Sequence, residues 1–340
     1  MDTSNRWALL LEHRAMLAPV SRRLALRRLA AMGASALVLP SVVASCATTG
    51  PRPAPGFGGP VRVEYGSHRS QFGELTLPAG DGPVRGVVTV VHGGFWRQAF
   101  GLELGRPLAV DLANAGFAAW NVEYRRVGGG GGWTSTFDDV AAALDLLAGP
   151  VQQVAKGRLD LDRVVAVGHS AGGHLALWLA ARPGLPAGAP GAARPGLPGG
   201  ALGAARPGLP GGAPGSAPQV RLRGAVSQAG VLDLVDAADR GVGGGAVEDL
   251  MGGSPTDVRD RYALASPAAR VPLGVPVVCV HGIQDGTVPI RQSERFVAAA
   301  RSAGDAAELV ALPGVDHFAV IDPSMPAWGA CRDAVGRLLA

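Results

Sequence analysis

Gly168-His169-Ser170-Ala171-Gly172-Gly173 sets a serine among small residues, directly after the apolar run Val164–Val167 and ahead of a helix-like stretch from Ala171 to Ala181. Strand, tight turn and helix in that order project a hydroxyl above a sheet and aim a helix N-terminus at it. A serine hydroxyl needs a base to become a nucleophile, and the base needs an orienting carboxylate. Both types occur downstream, each just past an apolar run. Val277-Val278-Cys279-Val280-His281-Gly282 leads into a loop with Asp285, and Leu309–Pro313 leads into Asp316-His317-Phe318. Ser170, Asp285 and His317 are therefore the candidate catalytic set. His317 would take the Ser170 proton, and Asp285 would fix the imidazole tautomer. Asp316 and Asp233 are the rival carboxylates; Asp316 neighbours His317 in sequence and reads as a turn residue. A tetrahedral intermediate also needs fixed N–H donors. His92-Gly93-Gly94-Phe95-Trp96 follows another apolar run, and its paired glycines let backbone approach closely. The N–H groups of Gly94, Phe95 and Ala171 are the expected oxyanion donors, a plain tight turn being the alternative. His92 and His281 read as groups that satisfy backbone at strand ends. His169 and His174 have no metal-ligand spacing, so neither a metal site nor a cofactor is expected.

These residues need a scaffold that brings strand ends together. Val87–Val91, Phe117–Tyr124, Val164–Val167, Gly224–Ser227, Pro276–Val280 and Glu308–Leu312 read as strands, the first being apolar and β-branched as a strand buried on both faces should be. Helix-like stretches lie between them. The clearest starts at Ser135, a candidate N-cap followed by Asp138 and Asp139, with Phe137, Val140, Ala141, Leu144 and Leu147 on one face. The alternation predicts a mostly parallel sheet covered by helices on both faces, with residues 61–77 as an antiparallel pair at one edge. The glycine-rich stretch 230–267 is where a small lid would sit. Phe95, Trp96 and Trp133 are candidate pocket residues, Trp133 reading equally well as a packing residue.

Composition bounds the class. The chain has 340 residues, 47% of them apolar, with 51 Gly and three Cys. A disulfide scaffold, a coiled coil and wholesale disorder are excluded. The formal net charge of +4 is concentrated in residues 1–45, which hold six Arg, an Asp and a Glu. The body is neutral and has no electrostatic footprint for nucleic acid. Residues 1–45 read as an export signal: Arg22-Arg23, a weak apolar stretch to Val43, and Val43-Ala44-Ser45-Cys46. The paired arginines resemble a twin-arginine signal, and the ending resembles a bacterial lipobox, with Cys46 lipidated and a cell-envelope location implied. Met16 is a second candidate start. Residues 46–60 read as a Pro/Gly-rich tether, and the body spans 61–340. It is interrupted at 183–218, where Ala-Arg-Pro-Gly-Leu-Pro recurs with a period of 12; this reads as a disordered insertion. Cys279 and Cys331 are expected to be buried free thiols.

Together, His-Gly-Gly-x-Trp at 92–96, Gly-His-Ser-Ala-Gly-Gly at 168–173 and Asn-Val-Glu-Tyr-Arg-Arg at 121–126 resemble the α/β-hydrolase superfamily. They are most similar to its esterase and arylformamidase branch, near the hormone-sensitive-lipase-like and feruloyl-esterase-like groups. The resemblance implies the α/β-hydrolase fold, the triad Ser170–Asp285–His317 and an acyl-enzyme route on a small ester or amide. Esters are favoured by the export signal and arylformamides are the alternative. A peptidase and a non-catalytic binding lipoprotein are weaker readings. Membrane contact is expected only through the lipid.

Overall fold

The computed structural model describes residues 59–185 and 220–340, together with Ala189 and Gly191. The leader with Met16 and Cys46, nearly all of the tether and nearly all of the repeat insertion lie outside the described residues. An eight-stranded sheet organises the rest: β1 (Val61–Glu64), β2 (Phe72–Thr76), β3 (Val87–Val91), β4 (Ala118–Val122), β5 (Val164–His169), β6 (Gly224–Gln228), β7 (Val277–Gly282) and β8 (Ala307–Leu312). Their spatial order is β1-β2-β4-β3-β5-β6-β7-β8. The pairings β1–β2 and β2–β4 are antiparallel and all others are parallel, so the mixed edge falls where the sequence places it.

The helices are α1 (Arg106–Asn114), α2 (Ser135–Asp145), α3 (Pro150–Val154), α4 (Ala171–Ala181), α5 (Leu234–Asp239), α6 (Ala246–Met251), α7 (Arg259–Ala265), α8 (Arg291–Ser302) and α9 (Pro326–Leu338). Strand periodicity divides the core into two layers. Val88, Val90, Val165 and Val167 join Leu108, Leu112, Trp328 and Val335 of α1 and α9. Val87, Val91, Val164 and Ala166 face α2, α4 and α8 on the other side. Every residue of α4 is buried, which explains why this helix is apolar all round rather than along one stripe.

Two local expectations shift. In α2 the cap position is Thr134, with Ser135 the first helical residue, and the Thr134 hydroxyl donates to Asp138 Oδ2 at 2.6 Å instead of capping backbone. Asp139 is buried beyond the first turn and binds the Arg125 guanidinium, Nη2 to Oδ1 at 2.7 Å, so it serves an ion pair and leaves Asp138 at the helix terminus. Cys279 and Cys331 are buried and free, as expected. No helix of the described residues is long and apolar enough to cross a membrane.

The parallel strands β3, β5, β6, β7 and β8 all run the same way, so their carboxyl ends open onto one rim. Open α/β sheets build their sites there.

Candidate active site

Ser170 sits where β5 ends and α4 begins, with φ +55° and ψ −118°. A non-glycine residue in that region costs on the order of 1–3 kcal/mol and persists only where its surroundings enforce it. Here backbone enforces it. A Cβ at Gly168 would stand 2.1 Å from Gly172 O, one at Gly172 would stand 2.1 Å from Val91 O, and one at Gly173 would meet Gly230 Cα at 2.8 Å. Ser170 N–H donates to Gln228 O of β6 at 2.8 Å, and its carbonyl accepts from His174 N–H at 3.1 Å. Among the described residues, the hydrogen bonds of Ser170 all run through its backbone.

Asp285 lies past the end of β7 and its side chain has no exposed surface. Oδ2 is 2.6 Å from His317 Nδ1, and Oδ1 accepts the N–H groups of Thr287 and Val288, both at 2.8 Å. Burial opposes its ionisation. Hydrogen bonds from His281 and His317 and the Val288 N–H outweigh burial and hold this carboxyl well below the usual carboxylate range. His281 is thus more than a satisfied strand-end residue. Its Nε2 is 2.9 Å from Val288 O and 3.2 Å from Asp285 Oδ2. Both are acceptors, so Nε2 carries the proton and the Ser293 hydroxyl donates to Nδ1 at 2.8 Å.

The base loop touches the serine turn directly. His169 Nε2–H donates to His317 O at 2.8 Å, and the two rings lie 4.5 Å apart. Burial, then the neighbouring His317, lowers His169 to about 3, so it is a neutral donor. The rival carboxylates are engaged elsewhere. Asp316 Oδ1 closes a turn by accepting Phe318 and Ala319 N–H, both at 2.9 Å. Asp233 caps α5 by accepting Asp236 N–H at 3.1 Å and pairs with Arg295 at 3.2 Å.

The loop after β3 completes the rim. A Cβ at Gly93 would meet His169 O at 2.8 Å and Ser170 Cβ at 3.2 Å, so this loop lies against the serine turn. Gly94, Phe95 and Trp96 have φ of +109°, +51° and +53°. The N–H groups of Gly94, Phe95 and Ala171 donate to no protein acceptor among the described residues. Trp96 requires a correction. Its side chain is fully buried, with its ring edge-on to His174 at 5.2 Å, so it anchors the loop in the core and does not line a pocket. Trp133 is half-buried against Phe137, ring centroids 5.3 Å apart, and its backbone N–H donates to Leu250 O at 2.7 Å. The stretch 230–267 folds into α5, α6 and α7. Phe95 packs over its turn at Gly243, where a Cβ would fall 2.4 Å from the ring. Arg97 Nη2 donates to Gly244 O at 2.9 Å.

Sequence reasoning did not foresee the roles of His169 and His281, nor a buried polar cluster built on Glu123 and Arg126. The available signal for the cluster was the set of polar residues Asn121, Glu123, Arg125 and Arg126 directly after the apolar run Phe117–Trp120.

Residues 74–299, well over half of the chain, match the BD-FAE family model. No curated protein sequence matches the chain. Similar solved structures include a bifunctional GH43-CE protein from Bacteroides eggerthii at 23% identity and a TM-score of 0.64; the match covers 83% of this chain but 35% of that one, about a third of its length. A truncated carbohydrate esterase from gut microbiota matches at 20% identity and a TM-score of 0.65, covering 84% of this chain and 99% of that one. Butyrate-bound esterase 2 of the planctomycete Thermogutta terrifontis matches at 21% identity and a TM-score of 0.60, covering 83% and 93%. Likeness at these identities concerns the fold, and the fold is that of the α/β-hydrolases.

Proposed function

The chain belongs to the BD-FAE family, an esterase family of α/β-hydrolase type, and we propose that it cleaves small carboxylic esters through Ser170, His317 and Asp285. The observation that carries this reading is the 2.6 Å contact of Asp285 Oδ2 with His317 Nδ1, on a loop held against the strained Ser170 turn. In the proposed reaction, His317 Nε2 takes the Ser170 proton as Oγ attacks the ester carbonyl carbon. The resulting oxyanion is met by the N–H groups of Gly94, Phe95 and Ala171. Imidazolium then returns the proton to the leaving alkoxide as the C–O bond breaks, leaving an acyl-enzyme. Water, deprotonated by the same imidazole, attacks that ester and releases the acid with Ser170 restored. Asp285 stays ionised throughout. The Ser170–His317 hydrogen bond forms as substrate enters, since such bonds are often long in the empty enzyme.

The compact segment 230–267 favours a short acyl group with room for a flat leaving group. A fluorophosphonate probe should label the wild type and not Ser170→Ala, and acetyl and butyryl p-nitrophenyl esters should turn over faster than chains of ten carbons or more. An unlabelled wild type would remove the serine mechanism. Faster cleavage of N-formylkynurenine than of any ester would move the assignment to an arylformamidase with the same residues in the same roles. The leader extends the proposal to an exported protein held at the membrane by lipid on Cys46. A Cys46→Ala protein that stays membrane-bound in fractionation would contradict that extension.

A further inference from the structure

The segment Asn121–Arg126 has no part in the reaction written above, yet it carries polar groups into the interior. β4 is buried along its length, and Asn121, Glu123 and Arg126 are each more than nine-tenths buried. All three grip one short stretch. Asn121 Nδ2 donates to Leu102 O at 2.9 Å, Glu123 Oε2 accepts Leu102 N–H at 3.1 Å, and Arg126 Nη1 donates to Phe100 O. The charges close on each other, with Arg126 Nη1 2.6 Å from Glu123 Oε1, which also accepts Tyr124 N–H at 2.8 Å. Gly101 lies on this pair: a Cβ there would stand 2.7 Å from Glu123 Oε2 and 3.0 Å from Arg126 Nη1.

Phe100 carries the grip to the rim. A Cβ on Gly94 would fall 2.3 Å from Phe100 Cβ and 2.5 Å from its Cγ, so the Gly94 backbone lies flat against that side chain. Phe100 N–H donates to Arg97 O at 3.2 Å and Arg97 N–H to Gly94 O at 3.0 Å. The other end of the loop is held from the same strand end. Glu123 Oε1 bonds His92 Nε2 at 3.1 Å, the His92 ring stacks on Tyr124 at 4.3 Å, and the Tyr124 hydroxyl donates to His92 O at 2.8 Å.

A buried ion pair is weak evidence for stability, because desolvation offsets most of the attraction. Position is the better account of this one. Residues 94–96 hold three successive positive φ angles, a conformation that needs support from outside the loop. Oxyanion donors act only if fixed about 3 Å from where the charge will develop. We infer that Glu123 and Arg126 are positioning residues that set the Gly94 and Phe95 N–H groups, acting through Phe100 on one side and His92 on the other. This inference rests on the serine-esterase reading.

Two variants test it. Arg126→Met breaks the grip at its charge, and Phe100→Ala leaves the grip on the backbone but removes the side chain that carries it to Gly94. Turnover of p-nitrophenyl butyrate is measured per active site, titrated with a fluorophosphonate, beside inhibition by an alkyl boronic acid that forms a tetrahedral adduct on Ser170. Arg126→Met should lower kcat per titrated site by on the order of 10²-fold and Phe100→Ala by about tenfold, with KM within about threefold and the boronate constant rising in step with the kcat loss. Unchanged kcat per titrated site, with only fewer titratable sites or a lower Tm, would overturn the inference. So would a loss carried by KM alone. If Arg126→Met fails to fold, Phe100→Ala decides by the same criteria. A wild type that is neither labelled nor active removes the esterase reading itself; a labelled, active wild type beside two unimpaired variants removes only the positioning role.

Discussion

The serine turn at 168–173 and the loop at 92–102 face the same point and both depend on left-handed backbone, but they are held by opposite means. Around Ser170, backbone packs on backbone. Gly168, Gly172 and Gly173 leave no volume for a methyl group, and no charged side chain takes part. The 92–102 loop is tied largely by side chains from the end of β4, among them a buried ion pair and a stacked His92–Tyr124. Steric exclusion has one solution and tolerates nothing. A hydrogen-bonded tether can slacken by tenths of an ångström and still close. The turn that carries the nucleophile is thus expected to fail outright when altered, and the loop that serves the oxyanion to fail by degrees.

The largest effects should come from the groups the turn presents. Ser170→Ala and His317→Ala should each lower kcat by on the order of 10⁶, since they act as one unit. Asp285→Asn should cost on the order of 10⁴ through the wrong tautomer. Equal damage from Asp316→Asn or Asp233→Asn, with a mild Asp285→Asn, would overturn the carboxylate assignment. Next comes steric failure. Gly172→Ala places a methyl group 2.1 Å from Val91 O and should destabilise by about 3 kcal/mol or more, read as a collapse of Tm or of soluble yield. A Gly172→Ala protein that melts like the wild type would dissolve the contrast between the two regions.

Acid should weaken both regions in overlapping windows. Burial lowers His169 to about 3 and His174 to about 4, so below about pH 6.5 the unfolded chain binds protons that the folded one refuses. For Glu123, burial favours the neutral acid, but the His92 ring, Arg126 and the Tyr124 N–H outweigh it and hold the carboxyl at about 2. Its stabilising contribution is complete above its ordinary range and is lost as pH falls from about 4.5 toward 2. Melting curves should therefore show Tm falling from about pH 6.5 downward, steepening below 4.5; a flat profile between pH 6.5 and 4 would contradict the burial of the two histidines. The smallest effect is expected at Gly243, whose φ of +74° and contact with Phe95 link segment 230–267 to the loop. Gly243→Ala should cost roughly 1–2 kcal/mol in Tm terms and lower kcat severalfold. No change in kcat would show that this contact does not bear on the oxyanion donors.

Most of the scaffold was readable because its signals are local. All eight strands, the mixed edge, α4 and the strand–turn–helix around Ser170 follow from apolar runs and small residues a few positions apart. That Asp285 rather than Asp316 meets the His317 ring was readable for the same reason, since a carboxylate beside its own histidine is placed to close a turn. What escaped is what joins distant segments. Glu123, Arg126, Phe100 and His92 meet only because β4 lies beside β3. His281 is only four residues from Asp285, but residue type does not show that the loop after β7 folds its carboxylate back onto that ring. Trp96 was misplaced because residue type alone does not say which of two adjacent aromatic rings in a loop enters the core. The one-residue shift at Thr134 is the usual uncertainty of a helix end.

The arrangement of indoles gives this molecule a built-in optical probe. Trp96, Trp120, Trp178 and Trp328 are sealed in the interior, and Trp120, Trp178 and Trp328 each donate Nε1–H to a fixed acceptor, Ala143 O, Leu264 O and Asp111 Oδ2. Their emission should be blue and indifferent to small solutes. Trp133 alone among the described tryptophans is half-buried, and it sits where α2 meets the Leu250 carbonyl of α6. Any acrylamide-quenchable fraction of the emission from residues 59–340 should therefore come from Trp133, and its change as an ester binds would report motion of the 230–267 segment without an added label.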